Sequence, residues 1–297
     1  MRAQRIRVGA AMPLMSMFRK KQKTREEEMQ LAIRSSSPSR LPVSVCMATY
    51  NGERFVHRQL ESILRQLDAE DEVVIVDDCS QDSTLTVVRN LQDSRIRLFE
   101  HAENRGPTAA FETALRHARH ELICFSDQDD VWLPGKIAHL QTVFENPDVK
   151  FAVHDCAVTD GNLKVVEPSY FRWRKVKGGL LRNFAVPGLV GCCMAFRRSL
   201  LPIVLPFPSD RRLLHDVWIS TAAQVSRVTP VLIPQSLLLF VRHGENASQI
   251  DLASRRRTLT RIASERWALL AQLTKHKLFA KRRRDIDRRK GSRLLAE

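Results

Sequence analysis

The chain has 297 residues, 43% of them hydrophobic, which suits one large domain with appendages and a substantial core. No apolar run approaches the ~20 residues that span a bilayer; the longest, Val186 to Phe196, holds Pro187 and two glycines. The net charge of +15 is unevenly placed, with +7 in residues 1–41, +11 in residues 254–297 and −3 in residues 42–253, so the centre is not the basic face of a nucleic-acid binder.

The start, where Arg2, Arg5 and Arg7 precede an apolar run broken by Pro13, reads as a disordered basic leader, or as an extension ahead of a start at Met29. Residues 35–42, SSSPSRLP, read as a linker. From Val43 a regular alternation begins. "VSVCMATY" is a short buried strand ending in polar residues. Phe55, Val56, Leu60, Ile63, Leu64 and Leu67 then recur at helical spacing. Glu72 to Ser80 is a β-branched strand ending in acids, and Ser83 to Gln92 a helix that Asp82 or Ser83 would cap. Ile96 to His101 is a third strand, Pro107 to Ala118 a helix opened by proline, and "ELICFSD" a fourth strand. Beyond residue 150, Phe151 to Asp160 reads as a strand and Gly188 to Leu201 as strand then turn. His215 to Val225 reads as a helix, Thr229 to His243 as a strand with a proline break, and Leu259 to Leu278 as an amphipathic helix flanked by arginines.

This order predicts an α/β fold with a mostly parallel sheet and helices on both faces. Such sheets bind ligands outside the carboxyl ends of their strands. Three of the four predicted strands end in polar clusters: residues 49–53, residues 77–80 and residues 127–130. The fold would bring all three to one rim. The six cysteines (Cys46, Cys79, Cys124, Cys156, Cys192 and Cys193) form no C-x-x-C pair, and most lie in apolar runs. Buried thiols of a reducing compartment are expected, rather than zinc ligands.

Like charges held a few ångströms apart raise each other's pKa unless a cation intervenes. A divalent Mg²⁺ or Mn²⁺ prefers oxygen ligands and, where carboxylates are few, completes its shell with water and a diphosphate. Asp127 and Asp129 therefore suggest a metal that holds a phosphorylated ligand, against the alternative of a solvated acidic loop. Asp78 is placed to accept from a ribose or a base N–H. Thr49 and Glu53 could flank the same base or be only loop residues. Arg242 and His243 follow an apolar strand and could close over the diphosphate; His243 could reach the metal or be a structural histidine at a strand end.

"VSVCMATYNGERFVHRQLESILRQ", "VVIVDDCSQDST", "ENRGPTAAFETAL" and "FSDQDDVWLPGKI" resemble the successive motifs of family 2 glycosyltransferases with the GT-A fold, the last being similar to the D-x-D signature. "GCCMAFRRSLL", "LLHDVWIS" and "RHGENAS" resemble the rhamnosyltransferase-like subgroup that builds bacterial surface polysaccharides. The likeness runs from about Val43 to Ser248. It implies a GT-A domain over residues 42–253, with a nucleotide-binding half (42–135) and an acceptor half (136–253), followed by a basic helical tail (254–297). It implies donor binding by Ala48, Thr49, Tyr50, Glu53, Asp78, Asp127 and Arg242, and metal binding by Asp129, Asp130 and His243. It implies Asp216 as the catalytic base, where the alternative is an N-cap of the following helix. The implied reaction is an inverting, metal-dependent transfer of a sugar, rhamnose-like for preference, from a nucleotide-diphosphate donor to a glycan or lipid-linked glycan. Two positions depart from the subgroup: Val217 stands where a first tryptophan is usual, and Cys79 where a small residue is usual.

Two other functions compete with this. A sugar-phosphate nucleotidyltransferase would carry a glycine-rich, basic loop after the first strand, and "ATYNGERF" holds one glycine. A non-catalytic polyanion-binding protein would act through the basic tails, without specific nucleic-acid recognition. The expected location is cytoplasmic, with the Trp267-bearing tail either lying on the anionic inner face of the membrane or packed on the domain.

Overall fold

The computed structural model describes residues 40–177, 179, 188–210, 213–244, 264 and 267–274. The chain divides into two compact units, Met1–Arg40 and Leu41–Glu297, and nearly all described residues belong to the second. The expected leader, most of the linker and residues 245–248 of the last motif lie outside the described residues.

Four parallel strands form one half of the sheet: β1 (Val43–Thr49), β2 (Glu72–Asp77), β3 (Ile96–Glu100) and β4 (Leu122–Ser126), in the order β3-β2-β1-β4. The intervening helices are α1 (Val56–Leu64), α2 (Thr84–Asn90) and α3 (Pro107–His117). β1, β2 and β4 are buried along almost their whole length, as strands covered on both faces are, and β2 is rich in the β-branched residues that suit a pleated surface. α1 turns Val56, Leu60 and Ile63 inward, and α3 opens with Pro107 after Gly106 at a φ of 88°, a conformation that glycine tolerates.

The other half is antiparallel in part. β5 (Val131–Trp132), α4 (Lys136–Phe144), β6 (Phe151–Asp160), β7 (Val165–Glu167), α5 (Tyr170–Arg174), β8 (Met194–Arg197), α6 (Leu201–Val204), α7 (His215–Val225) and β9 (Val231–Arg242) follow. β8 runs antiparallel to both β4 and β6, β9 is parallel to β6, and β5 is antiparallel to β9, so the sheet is more mixed than the alternation predicted. The register of β6 against β9 slips between His154 and Asp155, opposite Pro234 and Gln235. Proline has no N–H for the ladder, and a bulge absorbs it. β5, α4, β7 and α5 were not anticipated. β5 and β7 are too short to show a period, and α4 starts on a lysine that is fully buried.

The chain leaves β1 toward β2 and β3 on one side and returns as β4 on the other. That reversal opens a crevice outside the carboxyl ends of β1 and β4. Register aligns those ends: Thr49 lies beside Asp77, and Met47 beside Ser126. In the C-terminal stretch, residues 267–274 are helical; Ala268, Leu269 and Leu273 join the hydrophobic core, while Trp267 and Leu270 are exposed.

The opposite end of the sheet is held by Glu72. Its carboxylate accepts from the Ser44 hydroxyl (2.6 Å), the Arg119 backbone N–H (2.7 Å) and Arg97 (2.6 Å). Burial alone would raise its pKa, but these donors hold it below its usual range. A depressed folded-state pKa adds stability above the unfolded value, and that stability is lost as pH falls through the folded one. Glu72→Gln is therefore expected to lose about 1–3 kcal/mol at neutral pH. The deficit should shrink on acidification below the ordinary carboxylate range, as read by urea unfolding across pH.

Candidate active site

The rim at the ends of β1 and β2 is built from carboxylates that hold loops. Asp77 Oδ2 accepts the Thr49 hydroxyl (2.8 Å) and the Ser80 hydroxyl (2.6 Å), and Asp77 Oδ1 accepts the Ser80 N–H (2.8 Å). Asp78, also buried, accepts from His101 Nδ1 (2.7 Å) and from the N–H groups of Arg105 (3.0 Å) and Gly106 (2.6 Å). Glu53 and Asp82 brace each other's loops. The Glu53 N–H donates to Asp82 Oδ2 (3.0 Å), and Glu53 Oε2 accepts the Ser83 N–H (2.8 Å) at the start of α2. Of the two expected caps, Ser83 holds the N-cap position of α2 without a side-chain bond, while Asp82 just before it accepts the Thr84 N–H (2.9 Å). Cys79 has a φ of 68°, in the left-handed region, which explains why a glycine would be at ease there.

Across the crevice, the Gln128 amide grips the first loop. Its Oε1 accepts the Tyr50 N–H (2.9 Å) and its Nε2 donates to the Tyr50 carbonyl (3.0 Å). Gly52 leaves the room for it, since a Cβ there would stand 2.3 Å from Gln128 Oε1. Gln59 on α1 reaches the acidic loop after β4, donating to Ser126 Oγ (2.7 Å) and to the Asp127 carbonyl (3.1 Å).

The three carboxylates after β4 have three different surroundings. Asp127 is half-buried; burial and the charges of Asp129 and Asp216 raise its pKa to about 7, against the opposing effects of Cys192 and Arg242. Asp129 Oδ2 lies 3.1 Å from His243 Nε2, and the His243 ring stacks on Phe55 with centroids 4.2 Å apart. Asp130 is fully buried: Oδ1 accepts the Val241 N–H (3.0 Å), and Oδ2 has no hydrogen-bond partner. Burial and the charges of Asp129 and Asp127 push its pKa far up. Burial lowers the pKa of the Arg242 guanidinium, and the charges of Asp129, Asp130 and Asp127 oppose that. The structure therefore divides the expected metal-binding set. Asp129 and His243 form one pair. Asp130 joins Asp127 and Cys192 in a group whose ligand atoms lie within 4.8 Å of one another, which could hold a metal ion.

Asp216 sits in the first turn of α7, and its Oδ1 accepts the Val217 N–H (2.6 Å). Its charge is close enough to act on Asp127, so the structure brings the expected base to the acidic loop. The preceding His215 is buried against Phe111 (4.2 Å between ring centroids) and edge-on to Phe125 (5.5 Å). Burial drives its pKa down to about 3, so the ring is neutral at physiological pH. Gly191 packs directly on this ring: a Cβ there would be 2.5 Å from His215 Nε2.

Ala48 and Tyr50 end β1 at the mouth, Tyr50 exposed and Ala48 half-buried. The sequence reading missed Gln59, Gln128, Lys136, Gly191 and Cys192. Gln128 lies inside the D-x-D stretch, but its partner is a backbone peptide 78 residues away, which no local pattern encodes.

The family model described as Glycosyl transferase family 2 matches residues 44–203, more than half of the chain. A UDP-Glc:alpha-D-GlcNAc-diphosphoundecaprenol beta-1,3-glucosyltransferase of Escherichia coli is 31% identical over 181 residues, 60% of this chain and 68% of that protein. A dTDP-rhamnosyl transferase of Shigella flexneri is 37% identical over 98 residues, 31% of this chain and 34% of that protein. Among solved structures, S. aureus TarS 1–349 in complex with UDP-GlcNAc aligns with a TM-score of 0.57 at 22% identity, over 69% of this chain and 60% of that one. A mannosyltransferase of Pyrobaculum calidifontis with GDP-Man and Mn²⁺ aligns with a TM-score of 0.50 at 26% identity, over 69% and 58%. These neighbours share the GT-A fold expected from the motifs. The chain spans about half the length of several curated relatives it matches.

The two tight glycines differ in what a methyl group would strike. At Gly52 it meets the free end of a side chain, whereas at Gly191 it meets a ring wedged between aromatics. Gly191→Ala is expected to cost about 1–3 kcal/mol by overpacking. Gly52→Ala should cost under about 1 kcal/mol, as Gln128 swings aside and gives up its hydrogen bonds to Tyr50. Paired denaturant melts check the difference.

Proposed function

The chain belongs to glycosyl transferase family 2, and from that premise we propose a metal-dependent inverting transfer of a hexose from a nucleoside diphosphate donor to a glycan or lipid-linked glycan. The observation that carries this is the position of Asp216, whose charge acts on Asp127 of the acidic loop. That neighbourhood supports reading Asp216 as the base and Asp127 as a donor-binding carboxylate. The family assignment also displaces the nucleotidyltransferase and polyanion-binding alternatives.

An inverting transfer needs no protein nucleophile. Asp216 takes the proton of the acceptor hydroxyl as that oxygen attacks the anomeric carbon. The neutral, tightly packed His215 fixes the first turn from which Asp216 projects. Asp127 faces the donor's ribose, and the loop ends at Thr49, Tyr50, Glu53 and Asp78 shape the pocket for its base. Arg242, set against three carboxylates, lies where a diphosphate would bring further negative charge. A divalent metal, when bound, supplies positive charge to the leaving diphosphate. The unpartnered, fully buried Oδ2 of Asp130 and the carboxylates around it are oxygen donors suited to such an ion. A rhamnose-like donor is our first choice, on the subgroup motifs and the Shigella relative; glucose and GlcNAc donors are the comparison set.

The acceptor and location follow from the tail. No described helix is long and apolar enough to cross a membrane. Trp267 is 76% exposed and Leu270 46%, on a helical segment whose flanks are rich in arginine. An exposed aromatic beside basic residues suits the anionic, cytoplasmic face of a membrane, where lipid-linked glycans would be in reach. Trp267→Ala is expected to reduce sedimentation with anionic vesicles and leave donor hydrolysis in solution intact. Vesicle binding that ignores the substitution would remove the membrane assignment.

For the chemistry, Asp216→Asn should lower turnover by about 10²–10⁴-fold, the usual contribution of a general base. Donor affinity, measured by calorimetry, should change little. A variant that retains turnover would show that the base lies elsewhere.

A further inference from the structure

Asp130 presents a problem that the transferase reading alone does not solve. It is fully buried, one oxygen accepts the Val241 N–H, and the other makes no well-formed hydrogen bond, although the Cys192 thiol lies beside the carboxyl. A buried carboxylate is tolerated when it is paired or bound to a metal. The buried thiol of Cys192 lies beside both Asp130 and Asp127, with ligand atoms of all three within 4.8 Å of one another.

The turn that carries Cys192 is anchored. Gly191–Cys193 is a single 3₁₀ turn at the start of β8. The Lys136 ammonium, itself fully buried, donates to the Cys192 carbonyl (3.2 Å) and sits 3.9 Å from the centre of the Trp132 ring. Three protein ligands leave an open position, and half-buried Asp127 marks the side from which a donor would enter.

We propose that Cys192 is a protein ligand of the divalent ion in this site, beside Asp127 and Asp130, and that its sulfur gives the site a preference for Zn²⁺ or Co²⁺ over Mg²⁺. The soft thiolate favours borderline metals, whereas Mg²⁺ takes oxygen ligands in near-ideal octahedral geometry. On binding, a sulfur–metal bond replaces the S–H bond, and the thiol proton passes to solvent. No oxidation is involved. This inference rests on the metal-dependent reading above, and names the ligand and the metal class.

The test is a titration of the full chain with Co²⁺ alone, followed by absorption spectroscopy. One equivalent should produce the near-ultraviolet sulfur-to-cobalt charge-transfer band. Stoichiometric Zn²⁺ should remove it, and a large excess of Mg²⁺ should not. Cys192→Ser should abolish the band and weaken Co²⁺ binding by about 100-fold, at least the loss that outer partners of metal sites can cause. Cys79→Ser, which alters the half-exposed thiol at the rim, should leave the band unchanged. Should Cys192→Ser fail to fold by circular dichroism, Cys192→Ala takes its place, with Cys193→Ser and Cys156→Ser as controls that should keep the band; a band that survives loss of the Cys192 thiol overturns the proposal. Saturation with Co²⁺ and no sulfur band, or a band lost in Cys79→Ser, overturns the proposal. UDP binding in the presence of Mg²⁺, measured on the same samples, separates the two readings. If UDP binds and no sulfur band appears, the thiolate ligand falls and the transferase reading stands.

Discussion

Mutual repulsion among Asp127, Asp129, Asp130 and Asp216 is the constraint on which the site depends. Charges this close in a partly dry crevice cannot all remain ionised without positive charge among them. The structure answers in several ways. Asp129 pairs with His243, which is held in place by its stack on Phe55. Arg242 stands against three of the carboxylates. Burial and the charges of Asp129 and Asp216 raise Asp127 to about 7, so a cation beside it would favour its ionised form. A site tuned in this way favours a ligand that brings its own cation, as a metal–diphosphate complex does.

The sheet creates the crowding. Parallel β1, β2 and β4 end in register at the switch point, so loops that are far apart in sequence share one rim. The antiparallel half then closes the floor. The turn before β8 brings Cys192 to Asp127 and Asp130, and the end of β9 sets Val241 against Asp130 and the following His243 against Asp129. Much of the rim's own charge is spent on architecture. The carboxylates of Asp77, Asp78 and Glu53 bind loop N–H groups, which gives the rim fixed walls and leaves fewer uncommitted acceptors.

The regular half of the fold was legible because short apolar strands alternate there with helices of clear period. β6 and α7 fall on the predicted residues, Phe151–Asp160 and His215–Val225. The convergence of the three clusters could be read because a parallel sheet has one carboxyl end. Contacts across the crevice could not be read. The Gln128 grip on Tyr50, the seat of His215 on Gly191 and the closeness of Cys192 to Asp130 all join residues of separate motifs, and no local pattern shows which of them meet. The metal set of Asp129, Asp130 and His243 was what the family resemblance implied, and the sequence could not say how these side chains are oriented. In three dimensions neighbouring aspartates face different ways, and Asp130 turns inward toward Cys192.

The central claim is that this crevice binds a nucleoside diphosphate sugar with the help of a divalent ion. The most direct test is calorimetric titration of the purified chain with a panel of nucleotide sugars, before and after chelation of divalent metal. The account predicts that one donor binds, that chelation abolishes binding, and that restoring the metal recovers it. A folded chain that binds no nucleotide sugar under any metal condition would contradict it.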